Sequence, residues 1–252
     1  MDILLPQNIF AAIFALSLPA DNIKNIIVKE SSLIARDLEL HEDYIGLMPS
    51  CDLIDHRDLY VSSKIGISFD GELSNAYFYF LPEQKNFDKV FLRGDISKNE
   101  VILPKILFNE RFSADVEFVI DKEELKLNER NYIIVGNENL SQNFLKSRIS
   151  LADEIAELLN APYTNYLLTS KNKDLLTDFT IKLTDLDKIV EDNINKILNK
   201  IDLEINMADY IRENLGSIYF EITETEIDSI NELIKLLFYH GFVDDIFDIK
   251  FV

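Results

Sequence analysis

Cysteine is nearly absent from this chain, with one, Cys51, in 252 residues. A disulfide within the sequence is thereby excluded, and such usage fits a reducing compartment. There is no second Cys and the nearest His, His56, is five residues on, so Cys51 reads as a small, partly buried residue rather than a reactive thiol. Glycine and proline are scarce too, at seven and six, too few for linker-rich or low-complexity architecture, and no repeat of solenoid length is present. Histidine occurs only as His41, His56 and His240, with no HExxH, nucleophile elbow or metal-ligand spacing among them, and there is no Gly-rich phosphate loop. No metal site is expected. Positive charge is the next deficit. Twenty-five Lys and Arg face 45 Asp and Glu, and a formal charge of −20 without a basic cluster argues against a nucleic-acid partner. Long apolar runs are missing as well. DILLPQNIFAAIFALSLPA is interrupted by Pro6, Gln7 and Asn8, lacks a basic leader, and falls short of the roughly 20 apolar residues of a membrane span. It reads as strand, polar turn and buried helix, so no membrane association is expected and the expected location is the cytoplasm.

What remains is the composition of a folded α/β protein. A hydrophobic content of 47% is enough to bury a full core in one large domain or two small ones. Short apolar strands alternate with amphipathic helices: strands at Asp2 to Leu5, Ile26 to Lys29 and Ile45 to Met48, with helices at Ile9 to Leu16 and after Ser31-Ser32. Strands follow at Leu59 to Val61, Ile65 to Phe69, Lys89 to Leu92, Val116 to Ile120, Tyr132 to Val135 and Thr164 to Leu168, with helices at Ser97 to Asn109 and Leu151 to Leu159. Ser97 with Glu100 predicts a capping box. Beyond Ser170 the apolar spacing is helical. Thr184 with Asp187 and Thr223 with Glu226 predict helix starts, and Gly241 predicts a stop.

The segment Tyr44 to Phe80, YIGLMPSCDLIDHRDLYVSSKIGISFDGELSNAYFYF, sets several short strands around two small polar loops. Small hydroxyl and amide side chains thus stand where strands end, the usual place of ligand contacts in open α/β sheets. The candidates are Asn8, Ser50, Ser74, Asn75, Ser97 and Asn99. Each can orient a carboxylate or hydroxyl, and none is a strong proton-transfer agent. The carboxylate pairs Glu123-Glu124 and Asp244-Asp245 read as solvated surface. So does the acidic excess as a whole, and a pocket for an anion must then rely on local donors such as helix N-termini.

Seven segments carry a more specific signal when taken in order: ILLPQNIF, LMPSCDL, ISFDGELSNAYF, SKNEVILPKILFNERF, IVGN, NAPYTNYLL and ADYIRENLGSIYFEITETEIDSINELIKLLFYHG. Over nearly the whole length they resemble the menaquinone-biosynthesis family of the futalosine pathway, which comprises chorismate dehydratase and 1,4-dihydroxy-6-naphthoate synthase. In this comparison Asn8 stands at the family's amide after the first strand, Ser50 at its Pro-Ser step and Asn75 at its serine. The run Ser97-Lys98-Asn99-Glu100 stands at its Thr-Ser helix start, and Gly136 and Asn137 stand at its Gly-Asp step.

The resemblance implies an α/β, two-lobed fold of the type 2 periplasmic-binding-protein kind, with a ligand cleft between the lobes and a helical C-terminal segment. It implies a large lobe from residues 1–79 and 168–252 and a small lobe from 80–167, hinged near Tyr77 to Leu81 and Tyr166 to Thr169. The implied activity is a cofactor-free carbon–oxygen lyase that removes water from chorismate, where formation of an aromatic ring supplies the driving force. Asn8 and Asn75 are expected near the departing hydroxyl, and Ser50, Ser97 and Asn99 on carboxylate oxygens. Ser74, Gly136 and Asn137 are expected in the lining, with Lys98 adding positive charge. A binding-only protein of the same fold and a naphthoate synthase-like enzyme are the alternatives. The expected partner is a small anionic metabolite, chorismate or a similar carboxylate; oligomeric state stays open.

Overall fold

The computed structural model describes residues 1–19, 23–82, 88–140, 148–201 and 203–252. The polar interruption near the N-terminus is the first punctuation mark of the fold. Strand β1 (Asp2–Pro6) ends at the proline, and the Asn8 side chain caps α1 (Ile9–Ser17) by accepting from Ala11 N at 2.9 Å. Then come β2 (Asn25–Lys29), α2 (Ser31–Leu40), β3 (Tyr44–Pro49) with a 3₁₀ turn at Ser50–Ile54, β4 (Tyr60–Phe69) and β5 (Ala76–Tyr79). Next are β6 (Lys89–Gly94), α3 (Lys98–Phe112), β7 (Glu117–Ile120), β8 (Tyr132–Val135), a 3₁₀ turn at Gly136–Leu140, β9 (Ile149–Ser150), α4 (Leu151–Leu159) and β10 (Tyr163–Ser170). The chain closes with α5 (Lys173–Thr180), α6 (Leu186–Leu198), α7 (Ile205–Glu213), β11 (Ile218–Glu221) and α8 (Glu224–Tyr239).

Among the described residues the strands form two sheets, in the orders β11-β4-β10-β3-β1-β2 and β7-β6-β8-β5-β9. In the larger sheet β1 runs parallel to β2 and β3, while β10 lies antiparallel between β3 and β4. In the smaller one β6 runs parallel to β7 and β8, while β5 lies antiparallel between β8 and β9. Interior strands are buried on both faces, so ILL of β1 and YIIV of β8 read as continuous apolar runs. Helices α5 and α8 pack on the larger sheet, which is where the helical periodicity beyond Ser170 finds its partner.

Three sequence expectations differ from the structure in detail. The runs Leu59 to Val61 and Ile65 to Phe69 are one strand, β4. Its Ser62 hydroxyl accepts from Lys64 N and Ile65 N at a register shift, so the polar middle is a bulge and not a break. Thr184 and Asp187 make no capping box: Asp185 holds the N-cap position of α6, and the Asp187 carboxylate accepts from Phe220 N and Glu221 N instead, tying α6 to β11. Finally, the chain changes sheet ahead of both expected hinges. Tyr77 already pairs within the smaller sheet, and Tyr166 is already paired with Pro49 in the larger one, because each returning strand inserts into a sheet interior. The boxes at Ser97/Glu100 and Thr223/Glu226 form as expected.

Gly94 closes β6 at φ +99, and a Cβ there would stand 2.0 Å from Val135 O, the backbone of its partner strand. Gly94→Ala is expected to cost on the order of 2–4 kcal/mol, since both conformation and space exclude a side chain. Gly216→Ala, with nothing within 4 Å of the added carbon, is expected to stay within about 0.5 kcal/mol. Denaturant unfolding of the two variants checks this contrast.

Candidate functional site

In both sheets the parallel strands deliver polar residues from their carboxyl ends, Asn8 after β1, Ser31 after β2, Ser50 after β3, and Asp95 and Ser97 after β6, while β8 is followed by Gly136. The crossing strands bring the rest. Antiparallel β10 sets Tyr166 opposite Pro49, so its first half lies beside the end of β3. Antiparallel β5 sets Ala76 opposite Val135, and Gly136 N donates to Asn75 O at 2.7 Å. Two sets of strand ends thus meet, and hydrogen bonds join them directly.

Tyr166, a residue 1% exposed, is the hub through its hydroxyl. It receives the Asn75 amide at 2.9 Å and the Asn8 amide at 3.2 Å, and lies 3.3 Å from Ser31 Oγ. Ser31 Oγ donates to Asp95 Oδ2 at 2.6 Å, and its N–H donates to Asp95 Oδ1 at 2.9 Å. With the serine proton committed to the carboxylate, the Tyr166 O–H must point at Ser31, which orders the chain Tyr166, Ser31, Asp95. The other end of the Asn75 amide is buried without a partner, in a residue 2% exposed. That unmatched end is the carbonyl oxygen, an acceptor, and leaving it so costs about 1–3 kcal/mol.

A second contact centres on Asn99. Its Oδ1 accepts from Cys51 N at 2.9 Å and, more distantly, from Ser50 Oγ at 3.4 Å; its Nδ2 donates to Asn165 O and Oδ1 at 2.9 and 2.6 Å. Tyr163 OH donates to Asn165 Oδ1 at 3.0 Å. Lys98 turns to the larger sheet's 3₁₀ turn, with Asp55 at 2.6 Å and Asp52 at 3.5 Å, so its charge is already matched. Ser74 bonds Ala76 O and receives Ala152 N, a local role at the sheet crossing. Asn137 is exposed and lines a cavity of about 400 Å³ beside Gln7, Asn8, Ala12 and Lys200. A wider groove of about 880 Å³ between α6 and β11, lined by Asp187 and Arg212, shares no residue with the strand-end cluster.

Of the residues expected from the sequence, Asn8 and Asn75 come together on one hydroxyl, and Ser50 and Asn99 form a pair. Ser97, Lys98 and Ser74 are engaged with protein groups. The sequence reading did not assign Ser31, Asp95, Glu100, Asn165 or Tyr166 to the site. Glu100 was legible only as a capping residue. It does cap, accepting from Ser97 N at 2.9 Å and Ser97 Oγ at 2.7 Å, yet it is also fully buried where the sheets meet. Burial pushes its carboxyl up to about 7 against the pull of the two Ser97 bonds. Asp95 is also raised by desolvation, with the Ser31 bonds opposing, and burial holds the Tyr163 and Tyr166 phenols well above their ordinary value. Cys51 is a buried free thiol, likewise raised by burial. Among the described residues no group of three acidic, His or Cys side chains is arranged to hold a metal ion, and no helix is long and apolar enough to cross a membrane.

A carboxyl raised in the folded state binds a proton that the unfolded chain has already lost, so folding stability falls as pH rises from about 4.5 to about 7. The difference between the wild type and Glu100→Gln, which can still cap, is expected to shift by roughly 3 kcal/mol across that window, the wild type losing ground at higher pH. Urea unfolding at a series of pH values measures it, and a difference independent of pH is incompatible with a buried, protonated Glu100.

No family model matches the chain, and no curated protein matches it in sequence. Among solved structures it is similar to the periplasmic aliphatic sulphonate binding protein SsuA of Escherichia coli, with a TM-score of 0.66 and 8% identity over 99% of this chain and 90% of that one. It is also similar to protein AF1704 of Archaeoglobus fulgidus, with a TM-score of 0.59 and 10% identity over 96% of this chain and 98% of that one. Two sheets joined by two crossings, with polar strand ends face to face, therefore have the two-lobed fold seen in that periplasmic binding protein, as the resemblance implied.

Proposed function

We propose that this protein encloses a small carboxylate-bearing metabolite between its two lobes and, without a cofactor, removes water from it, with chorismate as the first substrate to test. The observation that carries the reading is the convergence of Asn8 and Asn75 on the Tyr166 hydroxyl, with one end of the Asn75 amide buried and unmatched. Elimination of water requires a donor at the departing oxygen. Tyr166 supplies one when its O–H turns from Ser31 to the substrate, and two amides directed at its oxygen hold it in place. A product gaining an aromatic ring needs no stronger base than this cluster contains. Glu100, half protonated near neutral pH, adds only part of a negative charge to a site meant for an anion.

A binding-only protein is the second reading. It is supported by the pairing of Lys98 with Asp52 and Asp55, which leaves the anion's charge to be met by neutral donors. The E. coli neighbour is itself a sulphonate binding protein.

Chromatography of chorismate incubated with the purified protein tests both readings. The expected result is loss of water from chorismate, with turnover lowered about 10²-fold in Tyr166→Phe while the fold is retained. Binding seen by calorimetry without product rejects the lyase in favour of the receptor. Neither binding nor product rejects chorismate for both.

A further inference from the structure

Helix α1 reads IFAAIFALS and holds no charged residue. A helix of that composition is expected to be covered on every side, yet Ala12 and Ala15 are only half-buried and Leu16 is 38% exposed, at i, i+3 and i+4 on one face. Strand β2, at the edge of the larger sheet, leaves Ile26 and Val28 45% and 59% exposed, two residues apart and so on one face. All five side chains line the same cavity, the one of about 400 Å³ that also takes in Asn8 from the strand-end cluster and Asn137 from the smaller sheet's lobe. Two uncovered apolar faces thus converge on one hollow, of a size that suits a small ligand.

Charge narrows the choice of ligand. The chain carries 45 Asp and Glu against 25 Lys and Arg, and other cavities have acids in their walls: Asp187 and Glu191 in the groove between α6 and β11, Asp228 and Glu232 beside α8, and Asp115 beyond α3. The cavity along α1 has no acidic residue in its lining. It has one cation, Lys200, which makes no ion pair with any described residue. An anion with an apolar body matches both the wall and the charge.

We propose that this cavity is a subsite for an amphiphilic carboxylate, whose aliphatic or aryl body lies between α1 and β2 and whose carboxylate is met by Lys200. The inference rests on the reading of the cleft as a site for a small carboxylate, and adds that the ligand carries an apolar chain or ring beyond the groups that Asn8 and Tyr166 address. The alanines at 12 and 15 are what leave the space, since a larger side chain at either would occupy it.

The test is calorimetry of the purified protein with sodium octanoate, its shorter homologues hexanoate and butanoate, and 1-octanol, for the wild type, Ala12→Leu and Lys200→Gln. Octanoate is expected to bind saturably, with affinity falling about threefold to fourfold for each CH₂ removed. Ala12→Leu is expected to weaken octanoate at least about tenfold, and Lys200→Gln to weaken it about fivefold while leaving 1-octanol unchanged. No saturable octanoate binding, an affinity that Ala12→Leu leaves unchanged, or equal binding of octanoate and 1-octanol with and without Lys200 overturns the proposal. So does a dimer in sedimentation that Ala12→Leu dissociates, which gives the face to a second copy of the chain. Should Ala12→Leu fail to fold, Ala15→Leu in the same wall decides the matter by the same comparison. Chorismate is titrated separately: its turnover without octanoate binding rejects the subsite alone, and octanoate binding without chorismate binding rejects chorismate alone.

Discussion

Each sheet of this protein is completed by a strand that arrives from the other one and runs against its neighbours. β5 enters between β8 and β9, and β10 enters between β3 and β4. Because these strands are antiparallel, their leading ends stand beside the carboxyl ends of the parallel strands. Asn75 and Tyr166 therefore reach the place where Asn8, Ser31 and Asp95 emerge. Had either strand been added at an edge in parallel, its leading end would lie at the opposite side of the sheet. The site is a consequence of that topology, and the two crossings are also the covalent links about which one lobe can move on the other.

The polar groups so assembled satisfy one another. Tyr166 accepts from two amides and gives its proton to Ser31, Ser31 gives its own to Asp95, and Asn99 spans from Cys51 N to Asn165. A network of this kind is stable in a low-dielectric setting only when its members are matched, which makes the unmatched end of Asn75 informative. It also explains how a chain with net charge −20 keeps acidic groups at a lobe boundary. Glu100 is raised by burial until it is half protonated at neutral pH, and Asp95 rests on a helix N-terminus.

Much of the fold was legible in the sequence because its signals are local. Alternating strand and helix periods, the Asn8 cap, and the Ser97 and Thr223 boxes are set by neighbours within four residues. The misreadings are places where a distant partner outcompetes a local one. Asp187 is spaced to close a capping box with Thr184, and spends its carboxylate on backbone N–H groups of β11. The serines in the middle of β4 look like a break, until pairing with β10 carries the strand through a bulge.

The sequence by itself determined the class of fold, the strand ends at which Asn8, Ser50, Asn75 and Ser97 stand, and the poverty of the chain in strong catalytic groups. Only the tertiary structure decided that Ser31 meets Asp95, 64 positions away, and that Asn8 meets Tyr166, 158 positions away. It also decided that a capping glutamate lies buried and half charged, and that Lys98 is spent on Asp55. The reason is physical. Caps and periodicities express the hydrogen bonds a segment makes with itself, whereas burial, and with it the charge state and availability of a polar group, depends on which surface from elsewhere in the chain closes over it.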